Sequence, residues 1–262
     1  MNSPVEIFIS DPREPVINPS APLTRLALRF IRDARDIPFL KLAALQSAIL
    51  LPFAAYFFLA PRFSWLLAIL YWVLVFAVFL APYTLMLHNT SHRRLFRPKW
   101  ELFNQYIPSI LGPLFGQSPG TYYAHHVGMH HPENNLEPDL SSTMHYQRDS
   151  FWHFMQYYGR FMYRGAYDLV AYFRRNGRHK LARQALVGEL VWFALVLAGA
   201  AVSWRATLVV LVVPLVVIRF LMMAGNWGQH AFIDAAAPDN CYRNSITCIN
   251  SGYNRRAFND GY

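Results

Sequence analysis

The chain has 262 residues, 54% of them hydrophobic and 16% aromatic, with 15% charged and a formal net charge of +9. A soluble domain carries about 25% charged residues, so this composition argues against a disordered chain and against a charge-rich nucleic-acid-binding domain. Two cysteines, Cys241 and Cys248, are too few for a disulfide framework and lack zinc-ligand spacing, so they read as reduced thiols.

Residues 1–38 form a polar N-terminal segment, rich in Pro and Asp near its start and without the basic-then-apolar pattern of a cleaved signal peptide. Residues 39–262 make up the main domain. A spanning helix needs about 20 mostly apolar residues, and four segments qualify, near 42–60, 64–87, 186–203 and 206–224. Pro61-Arg62-Phe63 joins the first pair and Trp204-Arg205 the second. Links this short predict two antiparallel helical hairpins. The expected fold is thus an all-α integral membrane protein, with four transmembrane helices in two hairpins and a cytoplasmic helical cap. Glu189 and Arg219 are the charges inside the spans. An intramembrane carboxylate is costly, so Glu189 is expected to face other helices or an aqueous cleft.

Charge placement orients the hairpins. The two short links hold Arg62 and Arg205, whereas the long loop from His88 to about Gln184 holds twelve basic residues between Arg93 and Arg183. By the positive-inside bias, the N-terminus, the loop and the C-terminus are expected on the cytoplasmic side of a multi-pass membrane protein. The net positive charge is then a topology signal, and no nucleic-acid partner is expected. Tyr106–Phe115 is apolar but too short to span, which suggests an interfacial or re-entrant piece. Phe151–Phe173 mixes aromatics with arginines, as in an amphipathic helix lying on the membrane or packed on the cytoplasmic domain.

All ten histidines fall on the same expected side. His88 and His92 share a helix face if the second span continues past Leu87. His125-His126-Val127-Gly128-Met129-His130-His131 places four histidines within seven residues; at α-helical spacing His126 and His130 share a face and His131 is angled off. Asn226 and His230 are one turn apart beyond the fourth span. His145, His153 and His179 read as ordinary surface or capping residues. Crowded imidazoles repel one another when protonated, but neutral ones are good metal ligands. A zinc protease would place Glu after the first His, where Asn89 stands here, and no thiolates accompany the histidines. The pattern points to a multinuclear, nitrogen-rich site at the membrane surface. A transporter would place polar ligands at mid-membrane, which makes a non-enzymatic metal-binding protein the weaker reading.

The His-x-x-x-His box at 88 and 92, the His-x-x-x-His-His box at 126, 130 and 131, and Asn226 with His230 together resemble the membrane fatty acid desaturases, of the membrane di-iron, histidine-box superfamily. The resemblance covers the chain from about Leu42 onward. It implies an oxygen-dependent enzyme that introduces a double bond into an acyl chain, with two non-haem irons as cofactor and O₂ as co-substrate. His88, His92, His126, His130, His131 and His230 would hold iron, with Asn226 nearby through a water and His125 as an alternative register to His126. Glu133, Glu137, Asp139 and Asp234 are the carboxylates that could orient ligand rings. A membrane lipid or acyl substrate is implied, with a separate electron donor of ferredoxin or cytochrome b5 type. The extra residue in the second box resembles some membrane hydroxylases, so a hydroxylase or ketolase acting on a lipid, alkane or carotenoid is the rival reading. The family usually carries a third box, His-x-x-His-His, and no histidine follows His230. A stretch like Asn259-Asp260-Gly261-Tyr262 tends to precede that box, so truncation is expected; a protein that truly ended at Tyr262 would be expected to load iron poorly and show little activity.

Overall fold

The computed structural model describes residues 20–230 together with Asp234, Ala236, Ala237, Asn240, Arg243 and Asn250. Residues 1–19, both cysteines and Asn259–Tyr262 lie outside the described residues, as do the expectations placed on them. The described chain is helical, and the β feature among these residues is an isolated antiparallel bridge between Ile31 and Phe96.

Helix α1 (Pro22–Ala27) is a single short element. Helix α2 (Ile37–Leu59) begins with Pro38 in its first turn, where a missing N–H costs little. Helix α3 (Trp65–His92) starts at Ser64, whose hydroxyl accepts the Leu67 N–H at 3.3 Å. A π-helical turn, Leu74–Phe79, interrupts it midway. Both helices are apolar on every side, as suits a membrane span rather than a soluble surface helix. Three stretches are long and apolar enough to cross a membrane: Ala34–Leu59, Trp65–His92 and His179–His230.

The third stretch departs from the expected pair of spans. Helical hydrogen bonding covers α6 (His179–Thr207), a π-helical turn (Leu208–Val212) and α7 (Val213–His230), 52 residues together. Within it Ser203 is extended, with φ −157° and ψ 105°. Its hydroxyl accepts the Ala206 N–H at 3.3 Å, as an N-cap does when a helix restarts. A Cβ placed on Gly199 would lie 2.7 Å from Thr207 Oγ1, although eight residues of continuous helix rise about 12 Å. The chain therefore turns sharply at Ser203. The helices also outrun the apolar segments at their polar ends, to His92 and His230 and back to Ile37 and His179. Backbone hydrogen bonding does not stop where hydropathy falls.

Between the spanning stretches, Tyr106–Phe115 forms an insert, with a π-helical turn (Ile107–Leu111) that is partly exposed at Ile110 followed by a buried 3₁₀ turn (Gly112–Phe115). Phe115 stacks on Tyr83 of α3 with ring centroids 3.9 Å apart. At Gly116, φ is 65° and the Leu215 backbone passes 2.4 Å from where a Cβ would stand, so a side chain has neither the conformation nor the space. Residues 121–133, α4, run as Thr121–His125, a π-helical turn His126–His130, and His131–Glu133. Helix α5 (Phe151–Arg175) buries Phe154, Tyr157, Leu169, Tyr172 and Phe173, and exposes Trp152, Tyr163 and Tyr167 on its other side. The amphipathic helix is present; its exposed aromatics are compatible with either setting foreseen for it. Glu189 is buried and stands 3.7 Å from Arg219, which also donates to Ser118 Oγ at 2.9 Å. The intramembrane carboxylate thus faces a neighbouring helix, as its cost requires.

Candidate metal centre

The first histidine pair owes its position to the end of α3. Asn89, Thr90 and Ser91 are weak helix formers, yet each side chain donates back to a carbonyl of the preceding turn: Asn89 to Leu85 O (2.9 Å), Thr90 to Met86 O (2.7 Å) and Ser91 to His88 O (2.6 Å). The helix thereby persists to His92. His88 and His92 share its face with ring centroids 4.9 Å apart. Arg93, the next residue, is ion-paired to Asp33 and Asp36, which ties the polar segment before α2 to this end of α3.

The second box is built on a different register from the one α-helical spacing predicts. The π-helical turn His126–His130 widens the helix, so residues five apart come together. His126 Nε2 lies 3.0 Å from His131 Nε2, and the His126 ring is nearer His131 (4.4 Å) than His130 (5.8 Å). His125 and His130, also five apart, lie nearly parallel at 6.3 Å. Across the interface with α3, His92 Nε2 is 3.3 Å from His126 Nε2. One ring nitrogen from each of His88, His92, His126 and His131 falls within 4.8 Å of the other three. Such a set of unfused nitrogens can hold one metal ion.

A second group lies beside it. The His130 ring is 5.2 Å from His230 and 5.9 Å from His131. His130 Nδ1 contacts Asp139 Oδ2 at 2.6 Å. The same carboxylate accepts the Asn135 and Ser141 N–H groups at 2.9 and 2.8 Å and the Ser141 hydroxyl at 2.8 Å. The turn that presents Asp139 passes through Asn134 and Asn135 at φ 49° and 58°, a left-handed conformation that Asn tolerates. Burial works to raise the Asp139 carboxyl, but hydrogen bonding from His130 and Ser141 outweighs it and holds the group at about 2. An ionised Asp139 keeps the His130 proton on Nδ1 and leaves Nε2 with its lone pair. His125 Nε2 is buried without a hydrogen-bond partner, an arrangement that a metal ion at this nitrogen would complete.

The electrostatics favour neutral rings. Burial lowers His126 well below the ordinary imidazole range, and the neighbouring histidines lower it further. Burial, then the repulsion that would arise were it and the neighbouring His130 imidazole both protonated, lowers His125 to about 4. Neutral imidazole is the metal-binding form.

The other residues singled out in the sequence fall as follows. Asn226 sits under the second group, its amide donating to Tyr157 OH (2.7 Å) and Ser141 O (3.2 Å). The His230 carbonyl accepts from Thr143 Oγ1 at 3.1 Å. Of the four candidate carboxylates, Asp139 reaches a ring nitrogen. Glu133 accepts from Tyr172 OH, Asp234 pairs with Arg243 at 3.1 Å, and Glu137 is exposed. His153 accepts the Gln147 N–H, while His145 and His179 are exposed. Sequence reasoning missed Tyr122, stacked on His126 at 5.1 Å, although its i, i+4 spacing was a usable signal. It also missed Tyr157 and Ser141, which hold Asn226 and Asp139 and carry no local signature.

The fatty acid desaturase family profile matches residues 63–262. The chain belongs to the fatty acid desaturase family. No curated protein and no solved structure matches it. As a desaturase-family member, the protein joins apolar helices long enough to cross a membrane to a histidine cluster able to hold a metal ion.

Proposed function

We propose that this desaturase-family protein is an oxygen-dependent, di-iron enzyme that introduces a double bond into a lipid acyl chain. The observation that carries the reading is the convergence of His88, His92, His126 and His131 on one metal-sized space. A second iron is assigned to the adjoining group of His125, His130 and His230, with Asn226 beside it. When bound, the irons and O₂ supply the oxidation that imidazole and carboxylate side chains cannot perform on an unactivated C–H bond. Overall, one acyl –CH₂–CH₂– unit, O₂, two electrons and two protons give one double bond and two waters. The electrons come from a separate donor of ferredoxin or cytochrome b5 type.

The protein's own part is placement. The folded-back side chains of Asn89, Thr90 and Ser91 keep the first box helical. The π-helical turn brings His126 to His131. Asp139 fixes the His130 ring and its proton, and Tyr157 restrains Asn226.

Four spans in two hairpins fit this assignment. The break at Ser203 divides the third stretch in two, and the Phe58 ring lies 3.4 Å from where a Gly199 Cβ would stand, so the end of α2 packs beside the end of the first half of that stretch. The two short links then share one side, with the histidines on the other, and the basic loop assigns the histidine side to the cytoplasm.

Membranes from cells expressing the protein should gain an unsaturated acyl species by lipid mass spectrometry, and the His92→Ala variant should not produce it. A hydroxylated acyl product would replace desaturation by hydroxylation, the chemistry suggested by the box-two spacing. No change in lipids from cells that accumulate folded, iron-loaded protein would contradict the proposal.

A further inference from the structure

A cavity of about 420 Å³ that none of the histidines lines lies between the first turns of α6 and residues in and on either side of the insert. One wall is a single face of α6: Lys180, Arg183 and Gln184 at its start, then Val187, Gly188 and Val191. These residues are spaced three and four apart, so they form a continuous stripe. The facing wall carries Gln105 and Ser109, with Pro119 and Gly120 closing it. Gln184 Nε2 donates to the Gly120 carbonyl at 2.8 Å, and the Pro119 carbonyl passes 2.1 Å from where a Gly188 Cβ would stand. The absent side chain at Gly188 is what lets the walls meet.

The chemistry changes along the stripe. Lys180 and Arg183 are exposed and make no ion pair with a carboxylate among the described residues. Two to three turns on, Val187 and Val191 are 48% and 41% exposed, at the start of the apolar part of the third spanning stretch. A cationic, amide-lined mouth above an apolar trough, at the level where a helix enters the bilayer, matches an amphipathic anion. Lys and Arg at this depth bind anionic headgroups, and apolar surface facing lipid suits an acyl chain. A small anion would use the mouth and leave the trough unfilled.

We propose that this groove is a binding site for one anionic membrane phospholipid, its phosphate held by Lys180 and Arg183 with Gln105 and Ser109, and an acyl chain lying along Val187, Gly188 and Val191. The site is separate from the metal centre and does not depend on the reaction assigned there.

The test uses the full chain purified in a neutral detergent, where no membrane surface potential operates. Native mass spectrometry should show one phosphatidylglycerol retained on the wild type and phosphatidylcholine retained far less. The double variant Lys180→Gln, Arg183→Gln should lose the phosphatidylglycerol. Arg174→Gln, Arg175→Gln removes equal charge outside the groove and should keep it. Val191→Trp, which fills the trough, should also reduce retention. Melting temperatures in phosphatidylcholine establish that each variant is folded; should the double variant unfold, the single change Arg183→Gln takes its place and should lose most of the lipid, while Arg183→Lys, which keeps the charge, should retain it. Equal retention of the two lipids by the wild type would overturn the proposal. So would equal loss in both double variants, which would mean general surface attraction. Inorganic phosphate displacing the lipid and giving the same thermal protection would show a free-phosphate site instead.

Discussion

Asp139 holds Nδ1 of the His130 ring at 2.6 Å, which leaves Nε2 as the nitrogen facing away from the carboxylate. Its carboxylate is held by two backbone N–H groups and a hydroxyl, so it cannot turn away from the ring without breaking all three. Replacing a ligand-orienting carboxylate weakens metal binding by roughly 10–100-fold. Asp139→Asn should therefore retain less iron through dialysis against a chelator by about that factor, with unchanged helicity; unaltered retention would contradict the role. The ring environment also sets a pH dependence. Burial, then repulsion against a second proton on the neighbouring His130, holds His125 at about 4 against an ordinary 6.5, and His126 shifts the same way. Between about 4 and 6.5 the unfolded chain binds more protons than the folded chain, so these rings cost nothing above that window and destabilise the fold as pH falls through it. The melting temperature of iron-free protein should be level above about pH 6.5 and decline below it. A constant melting temperature across the window would show that these rings are not held neutral by the fold.

At the scale of the elements, the pair Glu189–Arg219 joins α6 to α7 in a stretch that is otherwise apolar. Removing one member leaves the other charge buried, which costs about 3–5 kcal/mol, whereas exchanging both for apolar residues costs much less. Glu189→Gln should lower the melting temperature in detergent more than the double change Glu189→Leu, Arg219→Leu. The reverse order would mean that the pair is solvated. The apolar runs made the spanning stretches legible in the sequence, since 20 residues without a charge have few other uses. The ends of the helices were not legible. Asn89, Thr90 and Ser91 have poor intrinsic propensity, and it is their side-chain bonds to carbonyls, visible only in the folded helix, that carry α3 to His92. The π-helical turn was hidden for a similar reason. Its widened register depends on packing, so the sequence paired His126 with His130 where the fold sets His126 against His131. Asp139 was visible as a candidate because it is a carboxylate near the second box. Tyr157 was not, because it comes from a separate helix with no motif.

Across the whole molecule, the histidines come from three distant regions: the end of α3, the turn of α4 and the end of α7. They meet where these three regions pack together, with His92 against His126 and His130 against His230. No local segment could assemble the site alone, which is why the boxes were legible as motifs but their grouping into two neighbouring sets was not. His126 is the hub of the arrangement, within 3.3 Å of His92 and 3.0 Å of His131 by ring nitrogens. The most direct measurement is therefore the iron content of the purified protein and of its His126→Ala variant, by elemental analysis, with folding checked by thermal melting. Iron should accompany the wild type and be largely lost from the variant while the fold remains. Iron-free wild-type protein after expression with ample iron, or a folded variant that keeps its full iron content, would contradict the assignment of these histidines as an iron centre.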